Sequence, residues 1–230
     1  MPEIKALVDE YMRKAQGIEE LCSRCLRTER WGGNVTLMIV DAAFTSIGLN
    51  YFTAVVPRVD DFRRLFVETG QVKALKDLVG SDLNELLRVW KNRRSWAVAK
   101  GIASYLSSLP CKTDRESLRD WARSSSLQGW QFNPIGRISG VGLVTYQYLR
   151  MMGGIDTVMP DKIVKRVVNE ILVKAGEAPV DDDIEFISKV EETAQRTGYR
   201  PIDLCWMTWM VQPEGKIMRM EKYSRILPMI

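Results

Sequence analysis

Residues 135–168 read IGRISGVGLVTYQYLRMMGGIDTVMPDKIVKRVV. Ile138-Ser139-Gly140-Val141-Gly142 ends one short helical turn and opens an amphipathic stretch that stops at Gly153-Gly154. Two glycines one residue apart put no Cβ in the way of a tight turn. Consecutive backbone N–H groups at a helix N-terminus can then face outward and hold an anion, most naturally a phosphate. A close-packed turn between two helices would use the same glycines, and a GxG by itself does not separate the two. Further on, Pro160 disfavours helix at Met159, and Asp161 directly precedes a period-3.6 pattern over Lys162–Ala175. Asp161 is therefore an N-cap. Capping alone would account for it, at about 0.5–2 kcal/mol; the other reading is a carboxylate held at a helix end beyond a phosphate-binding hairpin.

Working outward, the same periodicity runs through most of the chain. Apolar residues form one helical stripe from Glu3 to Leu26, and Trp31-Gly32-Gly33 breaks it. Asn34 is placed to cap a helix over Val35–Gly48. Further helices are expected at Val59–Thr69, Gln71–Val79, Ser81–Trp90 with Ser81 as cap, Ser95–Ser108, Asp114–Ser124, Val141–Met152, Lys162–Ala175, Asp182–Thr197 and Pro201–Val211. Gly70, Gly80, Gly153, Gly176 and Gly198 stand where helices are expected to end. Tyr51–Val56 is the one β-branched and aromatic run, and a single run cannot make a sheet. The fold class is all-α, with about ten helices.

Composition narrows the chemistry. The chain has 230 residues, 46% hydrophobic and 27% charged, with a net charge of +4 and no histidine. That is ordinary globular composition. The missing histidine removes Ser-His-Asp and Cys-His nucleophile pairs, His metal sites and any His general base, which leaves carboxylates, Lys, Tyr, Cys or a cofactor. Cys22, Cys25, Cys111 and Cys205 are too few and scattered for a disulfide framework, and Cys22 and Cys25 sit inside a helical pattern, where packing is the better reading. With no long apolar run and no apolar N-terminal segment, an intracellular protein with no membrane association is expected. Charge is unevenly placed: Arg88, Lys91, Arg93, Arg94, Lys100 and Lys112 lie in a stretch, Leu86–Thr113, without one acid, while Asp181–Glu192 is strongly acidic. Each reads as a solvated helix face, but the basic stretch also suits phosphate contacts.

These motifs together resemble the helix-hairpin-helix DNA glycosylases. That family's pattern is Leu-Pro-Gly-Val-Gly, two variable positions, Thr-Ala, and about twenty residues later Val-Asp-Thr-His-Val-x-Arg-Val. Here Ile138-Ser139-Gly140-Val141-Gly142-Leu143-Val144-Thr145-Tyr146 is similar to the first part, and Pro160-Asp161-Lys162-Ile163-Val164-Lys165-Arg166-Val167 to the second. Trp90–Leu106 resembles the basic turn and helix that precede the hairpin, and Pro201-Ile202-Asp203-Leu204 with Trp206 and Trp209 resembles the closing helix. The resemblance implies two closely packed helical subdomains. It suggests an N-terminal helix (residues 1–34) packed on the C-terminal helices, a segment 35–175 containing the hairpin (135–152) and the Asp161 loop, and C-terminal helices in 176–230.

The resemblance implies that Asp161 is the catalytic residue of a monofunctional DNA repair glycosylase, which hydrolyses the N-glycosidic bond of a flipped, damaged or mispaired base in double-stranded DNA. A carboxylate near C1′ stabilises the oxocarbenium-like sugar and activates water; the helix N-terminus is expected to favour its ionised form. Ser139, Gly140, Val141, Gly142, Leu143 and Thr145, with Arg93 and Arg94, are the implied DNA contacts. Trp130, Phe132 and Tyr146 are candidates for the base pocket, with Trp90, Trp96 and Trp121 behind them. The position of the lyase lysine in family members that also cut the backbone is Val144 here, so no Schiff base is expected there, and neither Lys162 nor Lys165 stands at that position. No cofactor is required; a Na+ or K+ on the backbone carbonyls of Gly136, Ile138 and Val141 is implied, and with only Cys205 near the C-terminus no iron–sulfur cluster. A monomer is expected. Two other readings stay open: a non-catalytic helix-hairpin-helix DNA-binding protein in which Asp161 only caps, and a helical domain for a small molecule or partner in which the GxG is merely a turn.

Overall fold

The computed structural model describes residues 3–45, 49–213, 226 and 228–230. Twelve α-helices occur among them, with no strand. The expected single N-terminal helix is two: α1 (Ile4–Lys14) and α2 (Ile18–Leu26). Gly17 separates them at φ +80°, a left-handed turn that glycine adopts freely and that no helical stripe reveals. α3 (Val35–Thr45) begins after Asn34, whose side chain accepts the Leu37 N–H at 3.0 Å; the last three residues of the expected Val35–Gly48 helix lie outside the described residues. The β-branched run is helical: a π-helical turn at Tyr51–Val55 leads into α4 (Val56–Phe62) and a second π turn at Arg63–Val67. Propensity yields here to burial, since Tyr51, Phe52, Val55 and Val56 all face the core.

α5 (Leu75–Gly80) starts four residues later than expected, and α6 (Leu83–Val89) is capped by Asp82 rather than Ser81. The Asp82 carboxylate takes the Asn84 and Glu85 N–H groups, while the Ser81 hydroxyl turns back to the Asp77 carbonyl. α7 (Arg93–Ser107), α8 (Asp114–Ser124), α9 (Leu143–Met152), α10 (Lys162–Lys174), α11 (Asp183–Thr197) and α12 (Pro201–Met210) follow the sequence pattern closely. Their caps are local: Asn92 for α7, Thr113 for α8, Asp161 for α10 and Asp182 for α11.

Helices α3 to α7 pack on one another, and α1 and α2 pack with α10, α11 and α12. α9 lies between the two groups, against α2, α3 and α8. Three helices are buried on nearly every side, as core helices must be. All of α3 is buried, all of α12 after Pro201, and every residue of α9 except Val144. Half of Tyr223–Ile230 lies outside the described residues; Ile226 and Ile230 are buried, and Arg24 bonds the Pro228 and Ile230 carbonyls.

The core contains an ion pair. Arg30 and Asp41 are both fully buried, 3.5 Å apart. Asp41 Oδ2 also accepts the Trp31 indole N–H at 2.8 Å and the Tyr51 and Tyr148 hydroxyls at 3.0 Å each. Trp31 sits at φ +55°, unusual for a bulky residue, with its side chain buried and its indole bonded to Asp41. The Arg30 guanidinium lies over the Trp206 ring, 4.7 Å from its centre.

Candidate active site and nucleic-acid interface

Asp161 is the N-cap of α10, and its Oδ1 accepts the N–H groups of Ile163 (2.7 Å) and Val164 (2.9 Å). Its Oδ2 accepts the Trp209 indole N–H at 3.0 Å. The carboxylate opens into a cavity of about 560 Å³ lined by Thr45, Leu49, Asn50, Val144, Pro160, Lys162, Ile163, Lys165, Asp183 and Trp209. Val144 stands on the wall of this cavity and is the one residue of α9 that is not buried. Lys162 and Lys165 also line it: Lys162 is exposed with no bonded partner among the described residues, and Lys165 is ion-paired with Asp183 at 2.8 Å.

The expectation that the helix N-terminus keeps Asp161 readily ionised is corrected. Burial pushes its carboxyl up to about 6, and the N–H groups of Val164, Ile163 and Trp209 offset only part of that. The carboxylate is still mostly ionised at neutral pH, and poised to titrate just below it.

The hairpin precedes α9. The turn is closed by the Val141 N–H on the Ile138 carbonyl at 2.9 Å, and the Gly142 carbonyl starts the helix by accepting from Tyr146. The N–H groups of Ser139, Gly140, Gly142 and Leu143 donate to no other group among the described residues, which is the arrangement an anion nest requires. Ser139 and Gly142 are exposed; Val141 and Leu143 are buried and offer only backbone. Thr145 is corrected as a side-chain contact: at 1% exposure it is part of the core. The Ile138 carbonyl already accepts a hydrogen bond, whereas those of Gly136 and Val141 accept none from the described chain.

Gly140 adopts φ +97°, and a Cβ there would come within 2.8 Å of Val98 and 3.0 Å of Arg94 Nε. Gly101 on α7 in turn allows Ile138 to approach, so α7 and the hairpin pack through two glycines and Arg94 lies over the turn. Gly140→Ala is expected to destabilise the chain by about 1–3 kcal/mol, which chemical denaturation would report. Arg93 and Arg94 are exposed and join Arg58, Arg88 and Lys91 around a second cleft of about 760 Å³. Arg58 is paired with Asp61 at 2.9 Å, but the other four cations have no acidic partner among the described residues. Lys100, by contrast, is committed to the Ser81 carbonyl at 2.6 Å.

The three aromatic pocket candidates are also corrected. Tyr146 is fully buried with its hydroxyl on the Ser126 carbonyl, Trp130 packs against the Tyr146 ring at 5.9 Å, and Phe132 is 82% exposed. None lines the Asp161 cavity. Trp96 is likewise buried, and the Trp121 indole bonds Asn133. The aromatic residue at the cavity is Trp209, whose position in the closing helix is visible in sequence but whose role depends on a contact 48 residues away. Cys22 and Cys25 are buried, with both thiols pushed up by desolvation, Cys25 to about 12.

No protein-family model and no curated protein matches this sequence. Among solved structures it is similar to the crystal structure of the 8-oxoguanine DNA glycosylase of Thermotoga maritima, over 92% of this chain and 98% of that one, with a TM-score of 0.58 and 14% sequence identity. This chain has the helix-hairpin-helix glycosylase fold. At that identity the match establishes the fold alone, and the all-helical architecture expected from the sequence agrees with it. What the site does rests on its own residues.

Proposed function

We propose that the chain is a DNA N-glycosylase that hydrolyses the bond to a base flipped into the Asp161 cavity. The observation that carries this is Asp161 itself: a largely enclosed carboxylate with its orientation set by three N–H donors, on the wall of a cavity that also includes the start of the hairpin's second helix. As the bond to the base lengthens, positive charge builds on the sugar, and an ionised Asp161 stabilises it while ordering the attacking water. Extruding the base costs a few kcal/mol, least for a damaged or mispaired one. The hairpin N–H groups hold a neighbouring phosphate and supply register without reading sequence. A Na+ or K+ would add positive charge beneath that phosphate, and the unengaged carbonyls of Gly136 and Val141 support such a site.

Val144 on the cavity wall supports hydrolysis without strand cleavage, since no amine stands there. Lys162 on the same wall favours a second reading, in which its amine attacks C1′ and displaces the base, the sugar opens to a Schiff base, and the strand is then cut by elimination of the 3′ phosphate. Base release from duplexes carrying a panel of lesions, split with and without hot alkali, separates them. Breaks only after alkali are expected; breaks without alkali would establish the lyase reading, and no release from any lesion would leave a DNA-binding protein.

The basic cleft supports duplex DNA as the partner, extending the contacts expected at Arg93 and Arg94 to Arg88 and Lys91. Replacing Arg88 and Lys91 by Ala is expected to reduce the slope of log affinity against log salt by about 1–2, measured on undamaged duplex by anisotropy. An unchanged slope would remove these residues from the interface.

A further inference from the structure

Asp161 is held by two kinds of donor. Oδ1 takes both backbone N–H groups of its cap, so the swing of the carboxylate about that anchor is decided by what stands at Oδ2, and that is the Trp209 indole at 3.0 Å. The indole is itself fixed: Tyr51 and Phe52 meet it edge to face at 6.1 and 6.3 Å, and the Tyr51 hydroxyl is anchored to buried Asp41 at 3.0 Å. We propose that Trp209 is a positioning residue, whose indole N–H holds the Asp161 carboxylate against the cavity wall and keeps it in its ionised form, with Tyr51 and Asp41 holding the indole. This rests on the reading of Asp161 as the reacting carboxylate.

The other groups around Asp161 leave that task to Trp209. Lys162 and Lys165 come from its own helix, the second paired with Asp183 of α11. Cys205 comes from α12, with its thiol pushed well up by burial. Thr45, Asn50 and Val144, from the other side of the cavity, carry no charge. No cation is ion-paired with Asp161 among the described residues. An N–H bonded to a carboxylate favours the charged form.

Trp209→Phe keeps an aromatic ring and removes the N–H. The acid limb of the base-release profile is expected to move up by about one pH unit, a loss of about fivefold at pH 6 that recovers to within about twofold at pH 8.5. A merely structural role would lower the rate equally at every pH, and that result, or an unmoved midpoint, would overturn the proposal. Two NMR titrations need no activity. The Asp161 carboxyl carbon should titrate about one unit higher in the variant. In the unsubstituted protein the Trp209 indole N–H resonance should titrate with the Asp161 midpoint and lose that pH dependence in Asp161→Asn. A flat indole resonance between pH 5 and 7 would overturn the proposal even where the variant fails to fold. If the protein releases no base from any lesion, the function falls, while these titrations still decide whether Trp209 holds Asp161.

Discussion

On the proposed function, Asp161→Asn is expected to lower base release by about 10³-fold and to leave affinity for undamaged duplex within about twofold. Asn preserves the cap, because its side-chain oxygen can still accept the Ile163 and Val164 N–H groups. It removes the negative charge, and with its oxygen at the cap the amide nitrogen that faces the Trp209 N–H cannot accept it. Single-turnover assays beside anisotropy would separate the two effects; a variant that binds DNA and releases base at an unreduced rate would leave Asp161 as a cap and nothing more.

The same substitution has a stability signature of known sign. In the folded chain Asp161 titrates at about 6, against an ordinary value of 3.8. Between those pH values the folded state holds a proton that the unfolded state has released, so stability falls as pH rises through the interval and levels off above it. Two units correspond to at most about 3 kcal/mol, and less in practice, because part of Asp161 is open to water in the cavity. Asp161→Asn lacks this pH dependence. Chemical denaturation between pH 4 and 8 should show the unsubstituted protein losing stability across that window relative to the variant; parallel curves would show that burial does not perturb this carboxyl.

Asp41→Asn is the second large effect, and it acts on folding. Asp41 and Arg30 have no exposure, and the single Oδ2 of Asp41 serves Trp31, Tyr51 and Tyr148. Removing the charge leaves a buried guanidinium whose Nε and Nη1 already have no hydrogen-bond partner and whose remaining support is neutral: the Tyr51 hydroxyl on Nη2 and the rings of Trp206, Tyr148 and Tyr51. A loss of about 3–5 kcal/mol is expected, enough to leave a chain of ordinary stability marginal. The double variant Arg30→Met with Asp41→Asn should lose less than the sum of the singles, because the two sites share one interaction. Urea midpoints of the four proteins would show this, and strict additivity would mean that the pair is not coupled.

The helix ends explain why so much of the fold was legible. Asp161, Asn92, Thr113 and Asp182 cap through side-chain bonds to N–H groups two or three residues away, so the signal and the structure it produces share one short window of sequence. The hairpin glycines are the same kind of signal, since a missing Cβ is a local property. Errors arose where two local solutions were equally good. Ser81 and Asp82 are adjacent candidates for one cap, and the helical stripe through α1 and α2 continues across Gly17 because apolar spacing does not register a left-handed turn.

By itself, then, the sequence determined an all-helical chain, the hairpin and the place of Asp161 at a helix end, because backbone bonding decides these within a few residues. Tertiary structure alone decided what surrounds them. It brought Trp209 to Asp161, set Val144 and Lys162 on one cavity wall, moved Tyr146 and Thr145 into the core, and gathered Arg58 with Arg88 and Lys91. It also set the titration of Asp161, because desolvation depends on what packs around a charge from other helices, and periodicity along one helix carries no record of that.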